Sequence, residues 1–335
     1  MRLPRVEVQL LWVSLALAAV AFADEPQEWL ARMNTALTTR NYDGVFFHVQ
    51  GGRVETLRII HRVQDGAVME RLVSLDGSGR EFVRSGTELT CYLPDQRTVL
   101  VESRPQDGTL LGNLPTFDES TRGFYTIRHI ERTRLMGRDT HVIEVSPKDA
   151  YRYGYRLWID ESTAMPLKTQ LCDRQGAVIE QLVFANIALP ERIPDAAFVP
   201  QVSTEGYRWL RHGDAAGAAA DAPTPVVWNA LQLPPGFRMT SRAAQPLPGS
   251  SDPVEHLVFT DGLASVSVFV ESHTAAEGRV EGPARLGSSS AFSTVVDGHQ
   301  VTAVGEVPPE TVRFIANSVK ADSRTPSLSI VPSRR

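Results

Sequence analysis

The sequence is poor in the features that mark redox enzymes, metalloproteins and hydrolases. It holds 2 cysteines in 335 residues, and Cys91 and Cys172 form no Cys-x-x-Cys, so a thioredoxin-like redox motif is excluded. Its 8 histidines stand singly, without the close His, Cys or carboxylate neighbours of zinc sites. His61 and His141 fall in strand patterns and read as surface or satisfied core histidines. There is no Gly-x-Ser-x-Gly elbow, no His-Glu-x-x-His and no Walker-type phosphate loop. Asp76-Gly77-Ser78-Gly79 and Asp252-Pro253-Val254-Glu255 fall short of the ligand count of a calcium loop and read as turns. No catalytic residue, metal ligand or cofactor is expected, and the chain reads as a binding protein rather than an enzyme. A formal net charge of −5 leaves no strongly basic surface for nucleic acid. No apolar run reaches the roughly 20 residues of a bilayer span.

What is present begins with an export signal. Arg2 and Arg5 precede an apolar run from Leu10 to Val20, then Ala21-Phe22-Ala23 and the acidic pair Asp24-Glu25. Basic start, short apolar stretch and small residues before the break describe a secretory signal peptide over residues 1–23, cleaved after Ala23. The competing reading, an uncleaved anchor, is disfavoured by the short run. Export to an oxidising compartment permits a Cys91–Cys172 disulfide. Two buried thiols on separate strands fit the sequence as well, because disulfide geometry is strict and no distance is known at this stage.

Trp29 to Thr39 carries Trp29, Leu30, Met33 and Leu37 at helical spacing. After Tyr42 the pattern turns to period two. Gly51-Gly52, Asp65-Gly66, Asp76-Gly77 and later turn clusters divide it into ten or eleven antiparallel strands. A sheet that large curls or closes. Residues 24–201 are therefore expected to form a half-open barrel around the helix, with an apolar concave face. Phe47, Met69, Leu89, Tyr155, Leu157 and Leu171 are expected to point inward and line a lipid site, on a strand parity that a one-residue slip would reverse. Residues 202–225, small and Pro-punctuated, read as a linker that lets the inter-domain angle change. Residues 226–320 form a smaller mixed α/β domain with strands Val254–Thr260, Ala264–Glu271 and Gln300–Gly305 and a helix Pro309–Val319. Residues 321–335 read as a disordered tail. The fold class is α+β.

The segment Tyr151 to Asp160 alternates: Tyr153, Tyr155, Leu157 and Ile159 face one way, Arg152, Gly154, Arg156 and Trp158 the other. One face packing on the helix with the other solvated explains this; an exposed aromatic and basic contact surface explains it too.

Several segments together carry a family resemblance: Ser74-Leu75-Asp76-Gly77 with Arg80-Glu81-Phe82-Val83-Arg84, Tyr92-Leu93-Pro94, Tyr153-Gly154-Tyr155-Arg156-Leu157-Trp158-Ile159-Asp160 with Met165-Pro166-Leu167-Lys168, Leu171-Cys172-Asp173-Arg174-Gln175-Gly176, Leu233-Pro234-Pro235-Gly236-Phe237, Thr260-Asp261-Gly262-Leu263-Ala264-Ser265-Val266-Ser267-Val268, and Val304-Gly305-Glu306-Val307-Pro308-Pro309-Glu310-Thr311. In this order the chain resembles the RseB/MucB family of periplasmic regulators of the envelope-stress sigma factor. The resemblance implies a LolA/LolB-like half-open antiparallel barrel followed by the small α/β domain, in the periplasm. It implies a partner, the periplasmic domain of a membrane anti-sigma factor of the RseA/MucA type, shielded from the stress protease and released by lipopolysaccharide or another acyl lipid. Arg80, Arg156, Trp158, Gly305 and Glu306 are the partner-binding residues expected on that basis. A homo-oligomer stays open. The two cysteines are not family hallmarks, and Gly282–Thr294 matches poorly. The rival function is a periplasmic carrier of lipids or lipoproteins.

Overall fold

The computed structural model describes residues 25–77, 79–103, 109–111, 119–211, 227–245, 254–272 and 281–321. The expected leader 1–23 and the tail from 322 onward lie outside these, as does 212–226 of the linker region. The first helix, α1 (Pro26–Thr39), starts on a proline, which suits the first helical turn because its missing N–H has no partner there anyway. It buries Trp29, Leu30, Met33, Ala36 and Leu37 along one stripe.

Eleven strands follow in a meander: β1 (Tyr42–Gln50), β2 (Arg53–Gln64), β3 (Ala67–Ser74), β4 (Glu81–Ser85), β5 (Glu88–Leu93), β6 (Thr98–Ser103), β7 (Tyr125–Leu135), β8 (Arg138–Pro147), β9 (Gly154–Asp160), β10 (Pro166–Cys172) and β11 (Val178–Ala188). The β1–β2 hairpin turns on Gly51 and Gly52 at φ 57 and 79, a left-handed pair that matches the twist of the flanking strands. A further strand, β12 (Arg208–Arg211), falls within the stretch expected as linker and pairs parallel with β6. The sheet has 12 strands in the order β12-β6-β5-β4-β3-β2-β1-β11-β10-β9-β8-β7. Its two edges, β12 and β7, do not meet, so the barrel is half open as expected. α1 lies against the concave side, where Met33, Ile59, Ile143, Leu157 and Ile159 are fully buried with Phe46 and Phe184. Full burial of side chains of this size stabilises by about 1.5–3 kcal/mol each. On the outer side, Ile193 and Phe198 pack over Ile60, with Met69 beside them.

Cys91 and Cys172 are both buried and no disulfide joins them. They sit on β5 and β10, and β4, β3, β2, β1 and β11 lie between those strands in the sheet.

The second unit comprises β13 (Trp228–Ala230), β14 (Arg238–Gln245), β15 (Val254–Thr260), β16 (Ser265–Ser272), β17 (Gly282–Leu286), β18 (Ser289–Val296), β19 (His299–Gly305), α2 (Pro309–Ser318) and β20 (Val319–Ala321). Six strands run β14-β15-β16-β19-β18-β17, and β13 pairs with β20. α2 lays Val312, Ile315 and Ala316 on that sheet, in one core with Val266, Val268 and Val301. The Gly- and Ser-rich stretch from Gly282 onward is the β17–β18 hairpin. Two of its buried serines are satisfied by other segments: Ser290 donates to the Val307 carbonyl at 2.7 Å, and Ser293 lies 3.0 Å from the Thr302 hydroxyl.

Candidate functional site

Segments quoted above from both halves of the chain converge where the two units meet. Arg152, just before β9, is completely buried there, as is the carboxylate of Asp261 between β15 and β16. The guanidinium donates to the Pro235 carbonyl at 2.6 Å, and its Nε lies 3.3 Å from Asp261 Oδ2 and 3.4 Å from Asp149 Oδ1. Phe124, Phe237 and Tyr125 surround it at 4.8, 5.3 and 5.5 Å from ring centre to guanidinium carbon, a cage that favours a desolvated cation. Tyr125 donates its hydroxyl to Asp261 Oδ2 at 3.0 Å. Burial, reinforced by Asp261, pushes that phenol far above its ordinary pKa, so it stays a donor. Asp261 Oδ1 accepts the backbone N–H groups of Leu263 and Ala264 at 2.9 and 2.7 Å, the turn chemistry that an Asp-Gly pair favours. Gly236 adopts φ 83, and a Cβ there would fall 2.4 Å from the Phe124 ring, so this approach requires glycine. Nearby, Thr311 donates to the Tyr151 carbonyl at 2.7 Å and Tyr151 meets Phe314 edge-on. A cleft of about 610 Å³ opens beside this joint, lined from both units by Tyr151, Leu231, Arg313 and Phe314.

The concave face of the half-barrel is packed, and it is not all apolar. Glu70 on β3 is fully buried. Its carboxylate accepts Thr109 Oγ1 at 2.6 Å, the Leu110 N–H at 3.1 Å and Arg84 Nη1 at 3.3 Å. These contacts pin the segment 109–111 across the sheet, with Leu111 in the core and Leu110 against it. Burial pushes the Glu70 carboxyl above the usual carboxylate range. His61 on β2 lies beside it, stacked on Tyr42 at 4.5 Å with Nδ1 2.9 Å from the Arg40 carbonyl. Burial pulls the His61 imidazole down to about 4.

A base held below its ordinary pKa contributes stability that is whole above the ordinary value and drains away as pH falls toward about 4. Glu70, raised by burial, acts in the opposite sense. Urea midpoints measured from neutral pH downward should therefore fall less steeply in His61→Gln than in the parent. Equal slopes would remove His61 as a source of acid sensitivity.

The six residues expected to line a lipid site divide between the two faces. Tyr155, Leu157 and Leu171 lie on the side of α1: Leu157 pairs with Ile143 and Tyr155 with Leu171 and Val145 across neighbouring strands. Leu89 shares that side, opposite Arg84. Phe47 and Met69 lie on the outer face, Phe47 39% exposed and Met69 against Ile60 and Phe198. Their neighbours Phe46, His48 and Glu70 take the inward positions. Among the inward residues, Leu157 has no exposed surface, so its contacts are protein contacts in this state.

The five residues expected to bind the partner do not form one patch. Arg80 pairs with Glu55 at 2.5 Å beyond the end of β3. Arg156 and Trp158 stand on the outer face of β9, Arg156 reaching Glu144 at 3.2 Å and Trp158 lying under the Lys168 ammonium at 4.3 Å. Gly305 sits between strands, where a Cβ would fall 2.5 Å from the Ser265 carbonyl oxygen. Glu306 lies at the domain boundary, bonded to Ser288. Sequence reasoning passed over Asp261, Tyr125 and Glu70, and set Arg152 on the solvated or contact face with Arg156 and Trp158, whereas it is completely buried. The signal for Arg152 and Asp261 was the clustering of the quoted segments around them.

A family profile described as the MucB/RseB N-terminal domain matches residues 25–202, and one described as the MucB/RseB C-terminal domain matches residues 222–320. The Sigma factor AlgU regulatory protein MucB of Pseudomonas aeruginosa is 32% identical over 321 residues, covering 94% of this chain and 96% of that protein. The Sigma-E factor regulatory protein RseB of Escherichia coli (strain K12) is 29% identical over 292 residues, covering 87% and 89%. A crystal structure of MucB in complex with MucA(peri) superposes with a TM-score of 0.69 at 29% identity, covering 89% of this chain and 100% of that one.

Proposed function

The chain belongs to the MucB/RseB family, and from that membership we propose that it binds the periplasmic segment of a membrane-spanning anti-sigma factor. So bound, it shields that segment from the stress protease and keeps the sigma factor captive. Lipopolysaccharide or another acyl lipid releases the segment. In this reading the protein works in the periplasm after loss of residues 1–23.

The observation that supports the reading most is that the match runs through both domains, to a relative solved together with MucA(peri). The cleft beside the joint adds to it, because neither domain alone supplies its walls. A peptide seated there is held only while the domains keep this arrangement. The lipid arm of the proposal draws on the concave face. An acyl chain entering it competes with Leu110 and Leu111 for the same apolar surface, at about 0.8 kcal/mol for each methylene buried. The polar ties of Glu70 to Thr109 and Leu110 resist that exchange, so release answers to a long acyl chain and not to any small apolar molecule.

The test is a pull-down of the purified protein with the periplasmic segment of the anti-sigma factor, with and without lipopolysaccharide. Stable capture that lipopolysaccharide abolishes is the expected result. Absence of capture in both conditions would transfer the weight to a carrier of lipids or lipoproteins.

A further inference from the structure

A second set of contacts joins the domains away from Arg152, and it is built from groups that titrate. His48 and Gln50 of β1 and Glu180 of β11 belong to the half-barrel. Ser288, in the β17–β18 turn, and Glu306, after β19, belong to the second domain. His48 Nε2 lies 2.8 Å from Glu180 Oε1. Gln50 Nε2 donates to Glu180 Oε2 at 2.5 Å and to Ser288 Oγ at 3.0 Å. Ser288 donates in turn to Glu306 Oε1 at 2.5 Å. The approach at Gly287 is close: at φ 62, a Cβ there would fall 2.0 Å from Gln50 Oε1. The chain of bonds thus runs His48–Glu180–Gln50–Ser288–Glu306 and crosses the domain boundary between Gln50 and Ser288.

We propose that this chain is a proton-controlled fastening between the two domains, which tightens on acidification and loosens as the pH rises through neutrality. The geometry sets two carboxylates, one from each domain, on either side of a single hydroxyl and amide. Ionised together they repel, and His48 is the cation placed to neutralise them. The surrounding elements add few other charges. Glu55 of β2 faces His48. Tyr155 of β9 feels Glu306, Asp261 and Glu180, and Tyr153 feels Arg285, Glu310 and Glu306; burial holds both phenols neutral across this range.

The sign follows from where each proton sits. Burial raises the Glu306 carboxyl above the usual carboxylate range, against the Ser288 hydrogen bond, and repulsion from Glu180 adds to it while His48 opposes it. The hydrogen bond to Glu180 first, with help from Glu55 and Glu306, raises His48 above the usual histidine value. The part of each shift that comes from the facing domain exists only while the domains are docked. Docking therefore takes up protons, and its free energy weakens as pH rises through the raised values. At Glu180, burial is outweighed by the bonds from His48 and Gln50, so its carboxyl lies below the usual range and acts only in stronger acid.

The fastening is measured without any partner, so its failure and that of the anti-sigma reading are separate outcomes. Hydrogen–deuterium exchange of the purified protein is compared between about pH 6 and about pH 8, the span in which histidine titrates. Rates are corrected for the intrinsic pH dependence of exchange and read on peptides covering residues 46–52 and 286–291. Protection in the parent should fall severalfold from the lower to the higher pH, while peptides around Arg152 hold constant. Glu306→Gln, uncharged throughout, should keep the same protection at both pH values. Constant protection in the parent, or an undiminished fall in Glu306→Gln, overturns the proposal. Should that variant lose protection everywhere, His48→Gln replaces it: a diminished pH dependence supports the fastening and an undiminished one overturns it.

Discussion

Arg152→Met is expected to lower the unfolding free energy by roughly 3–5 kcal/mol, the range for removing one partner of a buried ion pair. Methionine fills much of the volume and keeps contact with Phe124, Tyr125 and Phe237, so the loss reports chiefly the carboxylate of Asp261, left uncompensated among those rings. Adding Asp261→Asn should recover part of it. The amide oxygen still accepts the N–H groups of Leu263 and Ala264, and its NH₂ meets the Tyr125 hydroxyl without a buried charge. Urea denaturation of the two single variants and the double variant gives the coupling between the residues. Additive losses would mean that the guanidinium does not hold the domains through Asp261.

Leu157→Ala should cost about 2–5 kcal/mol, as truncations in filled cores do. Leu157 is fully buried in the core beneath α1, so alanine leaves a cavity that Met33, Ile143 and Ile159 close only partly. A residue that lined an open lipid groove would behave otherwise: its truncation would weaken lipid binding and barely move the urea midpoint. The denaturation curve separates the two roles directly, and an unchanged midpoint would show that the concave face is looser than the packing here.

The strands were legible because their ends are written in local chemistry. Gly51, Gly52, Gly66 and Gly137 all take positive φ at hairpin turns, and turn residues need no distant partner to declare themselves. Parity was harder. On β3, Val68, Met69, Glu70 and Arg71 invite the placement of Met69 inside and Glu70 out. The structure inverts this, since Glu70 finds Arg84 and Thr109 within the barrel and Met69 is covered from outside by Phe198. On β1 both faces carry a phenylalanine, so apolar alternation does not choose between Phe46 and Phe47. In the second domain β18 was missed because its buried positions include Ser290 and Ser293, on opposite faces of the strand and satisfied by groups on other segments. The joint was invisible for the same reason. Arg152 reads as an ordinary solvated arginine until Asp261, from the other domain, is brought beside it. The family segments pointed to the right stretches of chain without saying what each residue does there.

The pairing of β1 with both β2 and β11 has a consequence for how the molecule comes into being. Phe46 lies opposite Leu57, a near neighbour in the chain, and opposite Phe184, a distant one. β2 to β6 zip up by successive hairpins, as do β7 to β11, and among the described strands the two ribbons pair with each other through the β1–β11 seam. Non-local closure of this kind is slow, because the entropy of a long loop is lost before its contacts form. A chain emerging N-terminus first therefore holds Phe46 without its partner Phe184 until residues 178–188 arrive. Arg152 waits longer still, for Asp261. The order of assembly is set by topology, with the seam first and the joint last, and the interval between synthesis and the seam is the period in which the nascent chain is most exposed to aggregation.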